Sequence, residues 1–382
     1  MMPDVRHAAD TMHGMIATRI LRRRRVLIVG CGDVGLRSVP LFRSRAAAPR
    51  VIALTSHAER SGELRAAGTT PIVGDLDRRA SLCRLAGLAP TVLHLAPPQK
   101  DGDDDRRTRA LIAALCAPHR SVAYSACSAS AAHRAWRAWF RAAAAKAPAR
   151  ARKSAKAPCI VPDGSSRAPR RRPQDETGRP MRQRVLRTAP RRSVRLVYAS
   201  TTGVYGDCGG ALIDETRPVR PENARAKRRV DAESQLRRAA ARGRLRVSIV
   251  RIPGIYAASR LPLERLRRRA PALVAEDDVF TNHIHADDLA AILVRSIGRA
   301  RPQRVIHASD DTDLRMADYF DRVADARGLP RVPRITREAA ETRLEPMTLS
   351  FMRESRRLLN TRMKRELRYA LRYPTVDDFL RG

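Results

Sequence analysis

The sequence predicts an α/β fold with a doubly wound parallel sheet, and three observations carry that expectation. Val26 to Val29 form an unbroken apolar run, as a central strand covered on both faces requires, and Gly30, Gly32 and Gly35 follow in the order G-x-G-x-x-G. Apolar runs then alternate with helical periodicities as far as Ala117. The alternation stops there and resumes at Val194 with Val194-Arg195-Leu196-Val197-Tyr198-Ala199-Ser200.

The glycine stretch is the first candidate site. Gly30 permits a tight turn, Gly32 leaves room for a pyrophosphate to approach the backbone, and Gly35 lets the next helix lie close to the strand. Asp33 and Val34 open that helix, whose N-terminus would face the phosphates. The context is that of a dinucleotide site: strand before, amphipathic helix after (Leu36, Val39, Pro40, Leu41, Phe42), second strand Val51 to Thr55 close behind. The second strand ends in Thr55-Ser56-His57, where an NAD-selective site usually carries Asp or Glu. Hydroxyls at Thr55 and Ser56 and the guanidinium of Arg60 would accept a 2′-phosphate that a carboxylate would repel. NADP is therefore the expected cofactor, with NAD as the alternative; Arg60 is otherwise a solvated residue at a helix start.

Pro71 to Leu76 reads as the third strand. Asp75 and Leu76 then lie against the adenine, or Asp75 caps a helix. Thr91 to Pro98 is the fourth strand and its exit, where Ala96 and Pro97 should line the cofactor path; His94, inside the apolar run, reads as packed rather than catalytic. A helix is expected over Arg106 to Ala117.

Composition bounds the rest. A chain of 382 residues allows one large domain or two, and the ordinary apolar fraction lets most of it fold. The net charge of +37 resembles a nucleic-acid signal, but only six of the 76 basic residues are lysine and the charge is scattered. An adventitious basic surface is the preferred account and a nucleic-acid partner is not expected. Six cysteines without a C-x-x-C pair fit neither a zinc site nor a disulfide framework, and suggest a reducing, cytoplasmic setting. Residues 1–23 read as a loose basic extension without a signal-peptide core, unless translation starts at a later Met. No run reaches the ~20 apolar residues that cross a membrane.

Residues 121–192 break the pattern. Roughly 18 basic residues meet three acidic ones among Ala, Arg, Pro and Ser, a balance typical of disorder, with one isolated helix conceivable over Ala131 to Ala145. A basic arm for a polyanion and a stretch translated in a shifted frame are the alternatives. The expected organisation is 1–23 extension, 24–120 first part of the sheet domain, 121–192 insertion, 193–252 second part, and 253–382 a C-terminal part that covers the substrate. Strands four and five, separated by the insertion, should be neighbours in space.

Four segments in order then resemble the extended short-chain dehydrogenase/reductases, the NAD-dependent epimerase/dehydratase superfamily. They are the glycine motif, Ser200-Thr201-Thr202-Gly203-Val204-Tyr205-Gly206, Arg251-Ile252-Pro253-Gly254-Ile255-Tyr256, and His283-Ile284-His285-Ala286-Asp287-Asp288-Leu289-Ala290. The resemblance implies a Rossmann-type domain carrying a nicotinamide nucleotide, with the Thr201 hydroxyl at the reacting group and Thr202, Pro253, His283 and His285 near the substrate. It also implies a Tyr-x-x-x-Lys pair on the helix after strand five, but Arg225 and Arg229 stand at those positions and no Tyr-x-x-x-Lys occurs elsewhere. Arginine cannot shuttle the proton, because its guanidinium stays charged at useful pH. Tyr205, His283 and His285 remain as candidates for proton transfer, Tyr205 being also a packing residue in such proteins. Two histidines without a third ligand do not make a metal site, and none is expected.

The tail, with Ser355 to Leu367 and Tyr373-Pro374-Thr375, is also similar to this superfamily; Arg356, Asn360 and Arg362 read as a solvated basic face or as binders of an anionic substrate. Two functions remain open: an atypical NADP-dependent oxidoreductase or epimerase acting on a hydroxyl or carbonyl compound, and a non-catalytic nucleotide-binding sensor or scaffold. Polyanion binding through the insertion is a third. A homodimer through the helix Arg225 to Ala241 is what the resemblance implies about assembly.

Overall fold

The computed structural model describes residues 24–44, 47–117 and 193–382. The expectations for the extension 1–23 and the insertion 121–192 lie outside the described residues.

Seven parallel strands form the central sheet: β1 (Arg25–Val29), β2 (Arg50–Thr55), β3 (Thr70–Val73), β4 (Thr91–His94), β5 (Val194–Thr201), β6 (Leu245–Ile252) and β7 (Val305–His307). Their order is β3-β2-β1-β4-β5-β6-β7. The register places Val26 beside Val51 on one side and Thr91 on the other, and Thr91 beside Arg195. Strands four and five are thus neighbours although about a hundred residues separate them in sequence. The order reverses between β1 and β4, and a crevice opens there at the carboxyl ends of the strands.

Burial on both faces explains the unbroken apolar runs. Val26 and Ile28 point to one side, where Val39 and Phe42 of α1 (Asp33–Arg43) and Leu289, Ile292 and Leu293 of a later helix meet them. Leu27 and Val29 point to the other, against Leu111 and Leu115 of α2 (Arg106–Cys116) and Leu236 of α3 (Ala224–Ala241). The later helix, α4 (Ala286–Arg299), starts where the Asp287-Asp288 pair places two acids in a first turn, and His285 caps it by accepting from the Asp287 amide. Such two-sided packing is how a parallel sheet buries all of its strands.

One boundary differs from expectation. The third strand stops at Val73, and Gly74 to Leu76 already form the loop at its carboxyl end. The helix after β7 is α5 (Met316–Ala326). In the tail a short strand, Arg357–Leu358, pairs in parallel with Leu212–Ile213, and a helix, Thr361–Leu367, follows. That pairing draws the tail over the loop after β5.

The C-terminal part rests on a smaller core of Tyr256, Leu266, Phe320 and Val323. It is joined to the sheet by Gly254–Tyr256 pairing with His283–His285. Charged contacts add to the joint: Arg260 donates to Asp33 at 2.9 Å, and Arg37 reaches Asp287 at 2.5 Å. Among the described residues no helix is long and apolar enough to cross a membrane, and no group of three or more His, Cys, Asp or Glu is placed to hold a metal.

Candidate functional site

Two hollows lie at the carboxyl edge of the sheet. The first, a groove of about 430 Å³, runs over the ends of β1, β2 and β4 and is lined by Gly30, Gly32, Thr55, Ser56, Arg60 and the loops from Gly74 to Leu76 and from Leu95 to Pro97. Gly30 has a φ of 81°, which favours glycine, and a Cβ there would lie 2.5 Å from the Ala96 amide nitrogen. A Cβ on Gly32 would meet nothing within 4 Å, so this backbone is open to the groove. A Cβ on Gly35 would press on the Cys31 sulfur at 3.2 Å, so this glycine serves the packing of α1 on β1. The groove can therefore receive a pyrophosphate against bare backbone beside a helix N-terminus, the fit that a dinucleotide requires.

The structure brings Thr55, Ser56, Arg60, Asp75, Leu76, Ala96 and Pro97 together on this groove. It does not bring the side chains of Asp33 and Val34 there. Val34 packs against the core, and the Asp33 carboxylate is held by Arg37 and Arg260. Partial burial raises the Asp33 pKa, but these two guanidinium groups outweigh it and the net shift is downward. Arg60 donates to the Cys31 carbonyl at 3.2 Å and forks onto Glu63 at 3.0 Å through both Nε and Nη2. The sequence reading of Arg60 did not include this acidic partner, one turn along the helix.

The second hollow, a cavity of about 300 Å³, begins at the end of β5. Thr201, Thr202 and Gly203 form its floor; Arg225 and Arg229 of α3, Pro253 and Gly254 after β6, Phe280 to Asn282, Met316, Glu354 and Arg356 complete it. Arg225 and Arg229 are one turn apart on α3, so both reach the same cavity. Arg229 Nη1 donates to the Ala199 carbonyl at 2.7 Å and the Tyr198 hydroxyl at 3.0 Å, which anchors it to β5. Arg225 is shifted downward, first by desolvation and then by the crowding of Arg229, Arg228 and Arg356, with Glu354 opposing. Glu354 pairs with Arg356 at 2.9 Å and accepts from Asn223 at 3.0 Å. The Arg356 Nε is buried and has no hydrogen-bond partner.

Three candidates from the sequence do not enter this cavity. Tyr205 is 1% exposed; its hydroxyl meets His307 Nε2 at 2.5 Å and Arg251 stacks over its ring at 4.7 Å. Burial pushes its pKa up to about 12, the wrong direction for proton exchange near neutrality. His283 stacks on Tyr319 with ring centroids 4.1 Å apart, and His285 caps α4. Both lie on the strand His283–His285, whose period of two turns the two rings to the same, buried side. His94 is packed as expected, bonded to Thr108 at 2.9 Å and driven down to about 3 by burial.

Glu354, Phe280, Asn282 and Met316 were missed by sequence reasoning. Glu354, Phe280 and Asn282 lie on short pieces without periodicity and Met316 opens α5; the pairing of Arg357–Leu358 with Leu212–Ile213, with bonds from Cys208, Gly210 and Asp207 to Ser355, carries Glu354 beside Gly203. No local signal marks them.

Comparison with known proteins agrees with this architecture. Residues 175–308 match the model of the NAD dependent epimerase/dehydratase family. No curated protein matches the chain. Among solved structures, a functionally unknown conserved protein from Silicibacter pomeroyi DSS is similar with 23% identity and a TM-score of 0.60, covering 94% of this chain and 97% of that one. The DesIV double mutant (dTDP-glucose 4,6-dehydratase) from Streptomyces venezuelae, with NAD and DAU bound, is 15% identical with a TM-score of 0.60, covering 94% and 96%. MoeE5 in complex with UDP-glucose and NAD is 17% identical with a TM-score of 0.59, covering 94% and 96%. At these identities the likeness is one of fold.

Proposed function

From the premise that the chain carries an NAD dependent epimerase/dehydratase segment on a Rossmann-type sheet, we propose a nicotinamide-nucleotide-binding protein that acts on a small hydroxyl or carbonyl compound. One observation carries the cofactor part: Gly32 presents open backbone to a groove whose other wall, at Ala96, closes on Gly30. Gly30, Gly32 and the first turn of α1 would hold the pyrophosphate, Asp75 and Leu76 the adenine side, and Thr55, Ser56 and Arg60 the adenosine ribose. When bound, the nicotinamide supplies hydride exchange. The Ser56 hydroxyl, with no carboxylate at the end of β2, favours NADP; the Thr55 hydroxyl is engaged by the His57 backbone and Arg60 by Glu63, which weakens that preference without removing it.

Apart from Glu354, whose carboxylate is engaged by Arg356 and Asn223, the cavity residues would then position the substrate rather than exchange its proton. The Thr201 hydroxyl can accept and donate at the cavity floor. Arg225 and Arg229 can polarise an oxygen but cannot give up a proton. Among the described residues the cavity is lined by no tyrosine, lysine or histidine. That specific observation favours a second reading, a nucleotide-binding sensor whose ligand is bound and not turned over. Direct titration with NADPH and NADH, followed by single-turnover assays against hydroxyl and carbonyl compounds, separates the two. Micromolar binding that Gly32→Trp abolishes supports the cofactor assignment. Absence of binding to either nucleotide at millimolar concentration would overturn it.

A further inference from the structure

We infer that the cavity beyond Thr201 takes its ligand by an oxyanion, a carboxylate or phosphoryl group seated among Arg225, Arg229 and Arg356. This rests on the proposed substrate cavity and not on the cofactor groove.

Charge is the first argument. Three guanidinium groups and one carboxylate line the cavity, a surplus of two positive charges in a partly enclosed space. Like charges so placed repel one another, and a bound anion relieves that repulsion. Arg225 is shifted downward chiefly by desolvation, and Arg229 and Arg356, which share the cavity, add to that shift. Bonding capacity is the second. Arg356 spends Nη1 on the Gly206 carbonyl and on Glu354, while its buried Nε has no partner. Arg229 is fixed by Nη1 alone to β5. Guanidinium groups held in this way present planar forks, the geometry that matches carboxylate and phosphate.

The third argument is what else the cavity offers. Thr201 and Asn282 supply neutral polar groups; Phe280, Met316 and Pro253 supply apolar contact. A volume of about 300 Å³ is at the small end of ligand sites, so the ligand is a small molecule with one anionic end and an oxygenated remainder. The arginines at the positions of the missing Tyr and Lys are on this account a changed specificity rather than a simple loss.

The test titrates the full-length protein with inorganic phosphate and, separately, with malonate, by calorimetry at fixed ionic strength. The variants are Arg225→Gln, Arg225→Lys and Arg246→Gln; Arg246 is exposed near the amino end of β6, away from the cavity. At least one anion should bind, Arg225→Gln should weaken it roughly tenfold or more, Arg225→Lys should recover part of the loss, and Arg246→Gln should change nothing. Preference for phosphate identifies a phosphate ester and preference for malonate a carboxylic acid. Failure of both anions to bind, or equal affinity of wild type and Arg225→Gln, overturns the inference. NADPH titration of the same samples keeps the two proposals apart: anion binding without NADPH binding sinks only the cofactor assignment, and the reverse sinks only the anion site.

Discussion

Arg251 and Glu233 form an ion pair with side chains only 4% and 5% exposed, their closest atoms 2.7 Å apart. Glu233 also accepts from the Ser200 hydroxyl at 2.6 Å, so the pair ties β6, α3 and the end of β5 together behind Thr201. Burial lowers the Arg251 pKa, but the bond to Glu233 outweighs it and the net shift is upward. Removing one partner leaves a charge in the interior, which typically costs about 3–5 kcal/mol. Arg251→Met should therefore lower the urea midpoint strongly, and the double variant Arg251→Met with Glu233→Leu should recover much of that loss. A double variant no more stable than the single one would show that packing, not charge, dominates here.

Cofactor preference should respond to Glu63 as well as to Arg60. Glu63 holds the Arg60 fork, and Glu63→Gln would release part of it toward the ribose end of the groove. The expected outcome is a several-fold gain in NADPH affinity over NADH for Glu63→Gln, and a loss confined to NADPH for Arg60→Ala. Paired titrations with the two nucleotides measure both.

Burial holds His94, His283 and His307 neutral by pushing their pKa values down to about 3. Above pH 6.5 both folded and unfolded chains carry them neutral. Below it the unfolded chain takes up protons that the folded chain refuses, so this contribution to stability is lost as pH falls from 6.5 toward 3, by up to about 1.4 kcal/mol per pH unit for each imidazole. Asp310, raised by burial to about 7, runs the other way: its contribution is present below about 3.8 and is lost as pH rises through 7. A differential test isolates one histidine. His283→Phe keeps the stacking on Tyr319 and removes a buried Nδ1 that has no partner. Its urea midpoint should fall less than that of the wild type between pH 7 and pH 5; identical falls would refute the assignment.

Two glycines should respond in opposite directions to alanine. Gly30→Ala combines a φ of 81° with a backbone clash at Ala96, and should cost at least ~1–3 kcal/mol and abolish nucleotide binding. Gly298 lies inside α4, where an added methyl would meet nothing within 4 Å, so Gly298→Ala should stabilise by about 1 kcal/mol. Thermal melts of the two variants compare them directly.

The sheet was legible because its central strands must be apolar on both faces, which leaves unbroken runs such as Val26 to Val29 and Leu196 to Ala199. The groove proposed for the cofactor was legible because one short motif and the ends of β2, β3 and β4 build it. The cavity was half legible. Thr201, Thr202, Pro253 and the two arginines of α3 lie on or next to long elements, whereas Glu354 and Asn282 sit in irregular connections just before the short strands Arg357–Leu358 and His283–His285, which leave no periodic trace. His283 and His285 misled because a polar pair beside an acidic helix start resembles a site, while the pleat turns both rings inward.

The contacts behind the glycine motif also govern how mutations there can be compensated. A side chain at Gly30 would strike the nitrogen and Cα of residue 96, atoms that every amino acid possesses, so no substitution at that position can act as a suppressor. At Gly35 the obstacles are the Cys31 sulfur and the Ile28 Cγ2 methyl, which Cys31→Ala and Ile28→Ala would remove. In a selection for revertants, Gly35→Ala should yield second-site partners at residues 28 and 31. Gly30→Ala should yield only true reversion.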